Sequence, residues 1–182
     1  MHGIYQELES TNSIIIMRES LIFYVNGKRQ QVSNQSAFRP LSDYLRLDLR
    51  LTGTKVVCAE GDCGSCTVLM GRYQNEKWNY NAKDCCILYL FQVDGAHVIT
   101  VEALREGGVL HPVQQAMVDH FGSQCGYCTP GFLMTLSDYL KRNPDPSIEE
   151  IKEALSGNIC RCTGYHEIIN AAFDASKAMR EK

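Results

Sequence analysis

Nine cysteines stand in this chain of 182 residues, and eight of them fall into two groups spaced like metal ligands. The first group, in VVCAEGDCGSCTVLM, is Cys58, Cys63 and Cys66, a C-x4-C-x2-C run. That spacing opens the plant-type pattern for a two-iron, two-sulfide cluster, which takes a remote fourth thiolate. Cys85 and Cys86 both offer one, and the spacing alone does not choose between them. Gly61 and Gly64 suit a loop that wraps a cluster, because glycine admits unusual backbone angles and lets amide N–H groups approach the sulfurs. The second group joins Cys125 and Cys128 (QCGYCTPG) to Cys160 and Cys162 (NICRCTG). Both pairs fall in loops that bound predicted helices, so two loops meeting would converge four thiolates.

Other chemistry fits these cysteines less well. Nine thiols cannot all pair as disulfides, and C-x4-C-x2-C and C-x-C are poor matches to the usual zinc spacing. Gly122, Gly126 and Gly131 form no dinucleotide fingerprint, since no strand-to-helix element contains them. The five histidines, His2, His97, His111, His120 and His166, are scattered and suit surface, cap or core positions. Of these, His111 before Pro112 is a candidate helix cap. Asp138, Glu149 and Glu150 are expected on solvated helix faces.

Two kinds of periodicity must position the cysteines. Ser20–Val25, Asn26-Gly27 and the following KRQQV predict a hairpin. Phe38 to Leu49 turns helical, with Pro40 in the first turn and leucines three and four residues apart. Strands are expected over 66–71 and 97–101, with a short return strand at Trp78-Asn79-Tyr80. Residues 86–93 fit either helix or strand. Glu106-Gly107-Gly108 reads as a linker, and four helices follow it. They run from Pro112 to Phe121, from a Thr129 cap with Pro130 toward Leu140, from a Ser147/Glu150 capping box to Leu155, and from Tyr165 to Met179. The reading is an N-terminal extension (1–19), a mixed α+β domain (20–104) and an all-helical domain (105–182).

Composition excludes several classes. Eighteen basic and twenty-one acidic residues give a net charge of −3, without the concentrated basic face of a nucleic-acid binder. The longest apolar run, CCILYLF, is far too short to span a membrane. The N-terminus has no basic segment leading into an apolar run and a cleavage site. A cytoplasmic protein is the expectation, and in a reducing compartment clustered thiols favour metal or redox roles over disulfides.

The stretches LTGTKVVCAEGDCGSCTVLMG, LHPVQQAMVDHFGSQCGYCTPGFLMTL and GNICRCTGYHEIINAA resemble the iron–sulfur subunit, or N-terminal region, of the molybdenum hydroxylases, the xanthine dehydrogenase and aldehyde oxidase family. The resemblance runs from about Leu21 to Ala172 and is nearest the separate small subunits of bacterial xanthine dehydrogenases. It implies a β-grasp, plant-ferredoxin-like domain followed by a four-helix domain, each holding a 2Fe-2S cluster. It further implies Cys58, Cys63, Cys66 and Cys86 at the first cluster, Cys85 replacing a small residue, and Cys125, Cys128, Cys160 and Cys162 at the second. By the same resemblance Gln124 approaches a partner's molybdopterin, and Arg161 lies in the tight turn between the last two cysteines. The implied partners are a molybdopterin-binding large subunit and an FAD-binding medium subunit, in a dimer of heterotrimers acting on xanthine, hypoxanthine or a related purine. The stretch Arg72–Asp84 departs from the family's wording. Phe121 and Tyr127 are expected either to face a partner or to pack in the helical core. A stand-alone two-cluster electron carrier and a zinc-stabilised scaffold are the other function classes.

Overall fold

The computed structural model describes residues 19–181; Ile14–Met17, expected to anchor an arm or begin the first strand, lie outside the described residues. Five strands form one mixed sheet: β1 (Ser20–Val25), β2 (Lys28–Ser33), β3 (Thr67–Gln74), β4 (Lys77–Asp84) and β5 (His97–Ile99), in the order β2-β1-β5-β3-β4. Only the β1–β5 pair is parallel. The β1–β2 hairpin turns on Asn26 and Gly27, both at positive φ (49° and 77°), as the two-residue turn requires.

β3 and β4 make a second hairpin, and β4 is a full eight-residue strand where a short return was expected. Its turn, Asn75-Glu76, also lies at positive φ (52° and 61°) but lacks the glycine that advertises such turns. A cross-strand ring contact offsets that local strain, since the Tyr73 and Trp78 rings pair at 5.6 Å in a tilted arrangement. The stretch that departs from the family's wording therefore still builds a hairpin.

One face of the sheet buries Phe23, Val25, Val68 and Val98 beneath a short helix, α1 (Leu41–Asp43), which continues as a wider π turn over Tyr44–Asp48. Pro40 is the residue before α1, with extended ψ of 139°, and not part of its first turn. Residues 86–93 form neither long helix nor strand; they run as an irregular segment into a 3-10 turn at Leu90–Val93. β5 stops at Ile99, earlier than expected, and residues 101–103 make another 3-10 turn.

The second core is helical. α2 (Pro112–Asp119), α3 (Thr129–Arg142), α4 (Ile148–Ala154) and α5 (His166–Arg180) bury Val113, Phe132, Leu136, Ile151, Ile168 and Ala172 together. Local chemistry starts two of these helices. His111 Nδ1 accepts from the Val113 amide ahead of α2, and Ser147 and Glu150 form a reciprocal capping box ahead of α4. α2 ends two residues before Phe121. Thr129 is the first residue of α3 and not its cap; the cap position is Cys128, and the Thr129 hydroxyl donates to Ser123 Oγ at 2.9 Å. The supposed linker is a tight turn closed by Glu106 and Val109. Val101 and Leu104, just before it, pack against the helical core.

α3 is also the element that joins the halves, since it lies against β3 and β4. Asp138 is buried in this joint, contrary to the solvated face expected for it. Its carboxylate accepts from the Ala82 amide of the edge strand at 3.1 Å and from Arg142 at 2.9 Å. Gly131, in the first turn of α3, rests on the Gly64 peptide: a methyl group there would lie 2.0 Å from Gly64 O and 2.9 Å from Gly64 C. Both obstacles are backbone, so no side chain can swing aside. Gly131→Ala is expected to cost at least about 1–3 kcal/mol by overpacking, read as a lower urea midpoint. Gly157→Ala, where nothing lies within 4 Å, is expected to leave the midpoint nearly unchanged.

Candidate metal centres

The loop between α1 and β3 curls so that the Glu60, Asp62 and Cys63 amides point at the Cys58 sulfur. These three N–H groups hold the Cys58 thiol at a pKa of about 6, because they stabilise the thiolate. Gly61 supports the curl. It sits at φ +77°, and a side chain there would strike Ile87, whose Cδ1 would lie 2.5 Å from the added carbon.

The thiols meet in twos. Cys58 contacts Cys63, and Cys66 contacts both Cys85 and Cys86. In the helical half Cys128 contacts Cys160, and Cys125 Sγ lies 3.5 Å from Cys162 Sγ. In three of these contacts, Cys66 with Cys85, Cys66 with Cys86 and Cys160 with Cys128, one thiol is more acidic than usual and its neighbour less so, as expected of two sulfurs competing for protons. Cys66 falls to about 7, chiefly through its contact with Cys85, while burial pushes Cys86 up to about 12. Burial likewise pushes Cys128 up to about 12. Burial works against ionisation of Cys160 too, but hydrogen bonds from the Thr163 hydroxyl and amide, from Cys128 and from the Cys162 amide together lower that thiol.

The two adjacent cysteines face different ways. Cys85 is fully buried in the sheet's hydrophobic core, and its amide donates to Cys66 O. Cys86 receives an N–H from Gly61 and feels the charge of Cys58 across the loop. Cys86 therefore belongs to the concavity that holds Cys58, Cys63 and Cys66. Cys85 touches only its Cys66 end.

Among the described residues, no three His, Cys, Asp or Glu side chains close on one point as a single ion requires. Pairs of thiols held apart are what a two-metal cluster needs, with one pair for each metal. Together with the amides aimed at Cys58 and the glycine-lined curl, this donor set fits a 2Fe-2S cluster in each half. Each quartet has a buried pair (Cys66 with Cys86, Cys128 with Cys160) and a more open pair (Cys58 with Cys63, Cys125 with Cys162).

Several residues that hold these loops carry no spacing signal. Asn158 is buried and donates to Gly64 O at 3.0 Å, and the Ile159 amide donates to Cys63 O at 3.0 Å. These bonds tie the two cysteine loops directly together. Tyr165, at φ +69° before α5, accepts from the Cys160 amide at 2.8 Å through its hydroxyl. Gln124 and Arg161 are both exposed, beside Cys125 and Cys162 respectively. Phe121 is 84% exposed and Tyr127 58%, so neither packs in the helical core.

Comparison with known proteins matches both halves. Residues 23–88 match the family described as a 2Fe-2S iron-sulfur cluster binding domain, and residues 100–173 the [2Fe-2S] binding domain family. A chain of quinoline 2-oxidoreductase from Pseudomonas putida 86 is 37% identical and superposes with a TM-score of 0.78, over 89% of this chain and 96% of that one. The chain belongs to the xanthine dehydrogenase/aldehyde oxidase family of molybdenum hydroxylases. Xanthine dehydrogenase 2 of Arabidopsis thaliana is 48% identical over 155 residues, which cover 82% of this chain and 11% of that protein. Aldehyde oxidase of Homo sapiens is 41% identical over 83% of this chain and 12% of its own length. The chain thus spans about a tenth of the curated relatives it matches. Within the family it contributes two 2Fe-2S-binding domains, and among the described residues no helix is long and apolar enough to cross a membrane.

The metal-free thiols give a direct test of the loop geometry. Alkylation of Cys58 by iodoacetamide is expected to rise with pH through about 6, whereas Cys86 and Cys128 stay protonated and slow until strongly alkaline pH. Peptide mapping across a pH series reads this, and equal rates at the three positions would contradict it.

Proposed function

We propose that this chain is the electron-relay subunit of a molybdenum hydroxylase. It holds one 2Fe-2S cluster on Cys58, Cys63, Cys66 and Cys86 and a second on Cys125, Cys128, Cys160 and Cys162. The observation that carries this reading is the gathering of eight thiols from four segments into two quartets, with the loops of Cys63 and Cys160 hydrogen-bonded to each other. Bound there, each cluster supplies one-electron chemistry, so two clusters handle the electron pair released by substrate oxidation one electron at a time.

The chain's own residues set the conditions for that chemistry. Amides of Glu60, Asp62 and Cys63 stabilise negative charge at Cys58, and Thr163 does so at Cys160. Buried Cys66, Cys86, Cys128 and Cys160 keep water from one side of each site. The Asn158–Gly64 and Ile159–Cys63 bonds hold the two sites in one register. The cysteines act as ligands and not as nucleophiles, so the chain makes and breaks no substrate bond.

The same reading assigns the partners. The open Cys125/Cys162 pair, with exposed Gln124, Phe121 and Tyr127, faces a large subunit carrying molybdopterin. Val109, Val118 and Phe121, all exposed, extend that apolar face. The more open Cys58/Cys63 pair of the other loop faces a medium subunit carrying FAD. Two such heterotrimers pair in the cytoplasm. Xanthine or hypoxanthine is the substrate we assign, supported by the 48% identity to a xanthine dehydrogenase. Aldehydes, N-heterocycles and aromatic thioesters are the competing outcomes of a substrate panel on the intact complex with a dye acceptor.

Metal analysis tests the relay itself. Two clusters of two irons require four irons and four acid-labile sulfides per chain. Stoichiometric zinc with iron near zero would overturn the reading. Ligand choice is read by separate Cys85→Ser and Cys86→Ser changes. Cys86→Ser is expected to abolish the reduced-state EPR signal of the first cluster, and Cys85→Ser to retain it; the reverse result would exchange the two assignments.

A further inference from the structure

Cys85 has no role in the relay, yet it is placed against a residue that has one. Thr67 and Asp84 are the last pair of the β3–β4 ladder, and Cys66 and Cys85 lie immediately beyond it, one on each side. Their strands are still joined there, with the Cys85 amide donating to Cys66 O. A direct backbone bond between the two residues, at 3.4 Å, brings their Cα atoms near the range a disulfide spans. The two side chains also point toward each other, for their thiols are in hydrogen-bonding contact. The backbone bond and the thiol contact thus agree.

We infer that Cys66 and Cys85 form a redox modification site: when the first cluster is absent, peroxide joins them in a disulfide that withholds Cys66 from cluster assembly. The blocking half of this inference rests on Cys66 being a ligand and Cys85 not. Two thiols lose two protons and two electrons, and one S–S bond forms. The O–O bond of hydrogen peroxide breaks, and both its oxygens leave as water. A dithiol reductant reverses the step by thiol–disulfide exchange.

The fold restricts the reaction to the empty protein. Cys66 is 2% exposed and Cys85 fully buried, so peroxide needs a local opening to reach them. The pair lies just past the last rung of the ladder, where the cysteine loop begins, and its Cys85–Cys66 backbone bond is long at 3.4 Å. Strand ends of this kind open most readily. A crevice of about 160 Å³ lined by Gly64, Thr67, Asp84 and Asn158 adjoins the same end. A bound cluster would hold Cys66 and keep these strand ends closed.

The full chain is stripped of iron by a chelator under reducing conditions, freed of reductant and treated with one equivalent of hydrogen peroxide. Remaining thiols are alkylated and peptides are mapped without reduction. The expected product is a Cys66–Cys85 cross-linked peptide, two hydrogens lighter than its two thiol parts, formed in the stripped protein and not in the iron-loaded one. Dithiothreitol is expected to remove it and to restore assembly of the first cluster from iron and sulfide, read by EPR. Recovery of Cys66 joined to Cys58, Cys63 or Cys86, or of Cys66 and Cys85 both alkylated, would overturn the inference. Cys85→Ala separates the two readings. Under reducing conditions it is expected to load both clusters, and loss of the first cluster there would overturn the ligand assignment instead.

Discussion

The structure depends on a contact with no room in it. Gly131 of the helical half lies on the peptide of Gly64, whose carbonyl also accepts from buried Asn158. Gly64 sits between Cys63 and Cys66 of one cysteine loop, Asn158 two residues before Cys160 of the other, and Gly131 three residues after Cys128. A shift of either domain would break a buried hydrogen bond or drive backbone into backbone. The two sites are thereby held in a fixed relation by the residues that flank their own cysteines, and the rest of each domain serves to hold those flanks still. The sheet presents the first loop at the start of β3, and α3 presents both Gly131 and Asp138 to that sheet.

Charge is the second constraint. An oxidised two-iron, two-sulfide centre on four thiolates carries +6 − 4 − 4 = −2, so two centres would take the chain from −3 to about −7. Charge concentrated in this way has to be answered locally. At the first loop three amides converge on Cys58. At the second, Cys128 stands at the N-cap of α3, at the positive end of that helix, and the Thr163 hydroxyl and amide reach Cys160. The two halves reach the same electrostatic end by different backbone means, which agrees with their lack of internal repetition.

Much of this was legible in the residues. The cysteine spacings, the Asn26-Gly27 turn and the Ser147/Glu150 box each follow from local chemistry that a single stretch of chain contains. The Asn75-Glu76 turn was hidden because it lacks the glycine that usually marks a two-residue turn, and the flanking β3–β4 pairs hold it instead. Asp138 was misjudged for a related reason: its burial is set by Ala82 of the edge strand, 56 residues away. Asn158, Gly131 and Tyr165 act through contacts that no spacing announces. The different surroundings of Cys85 and Cys86 are set by the turn that follows β4, which no spacing announces.

The central claim is that two clusters occupy one rigid unit and sit close because their loops touch. EPR of the intact, iron-loaded chain during stepwise reduction measures this most directly. The account predicts two distinct signals, each split or broadened by the other once both clusters are reduced, and relieved of that splitting when only one is. Two signals that stay sharp and independent at full reduction, or a single signal throughout, would contradict it.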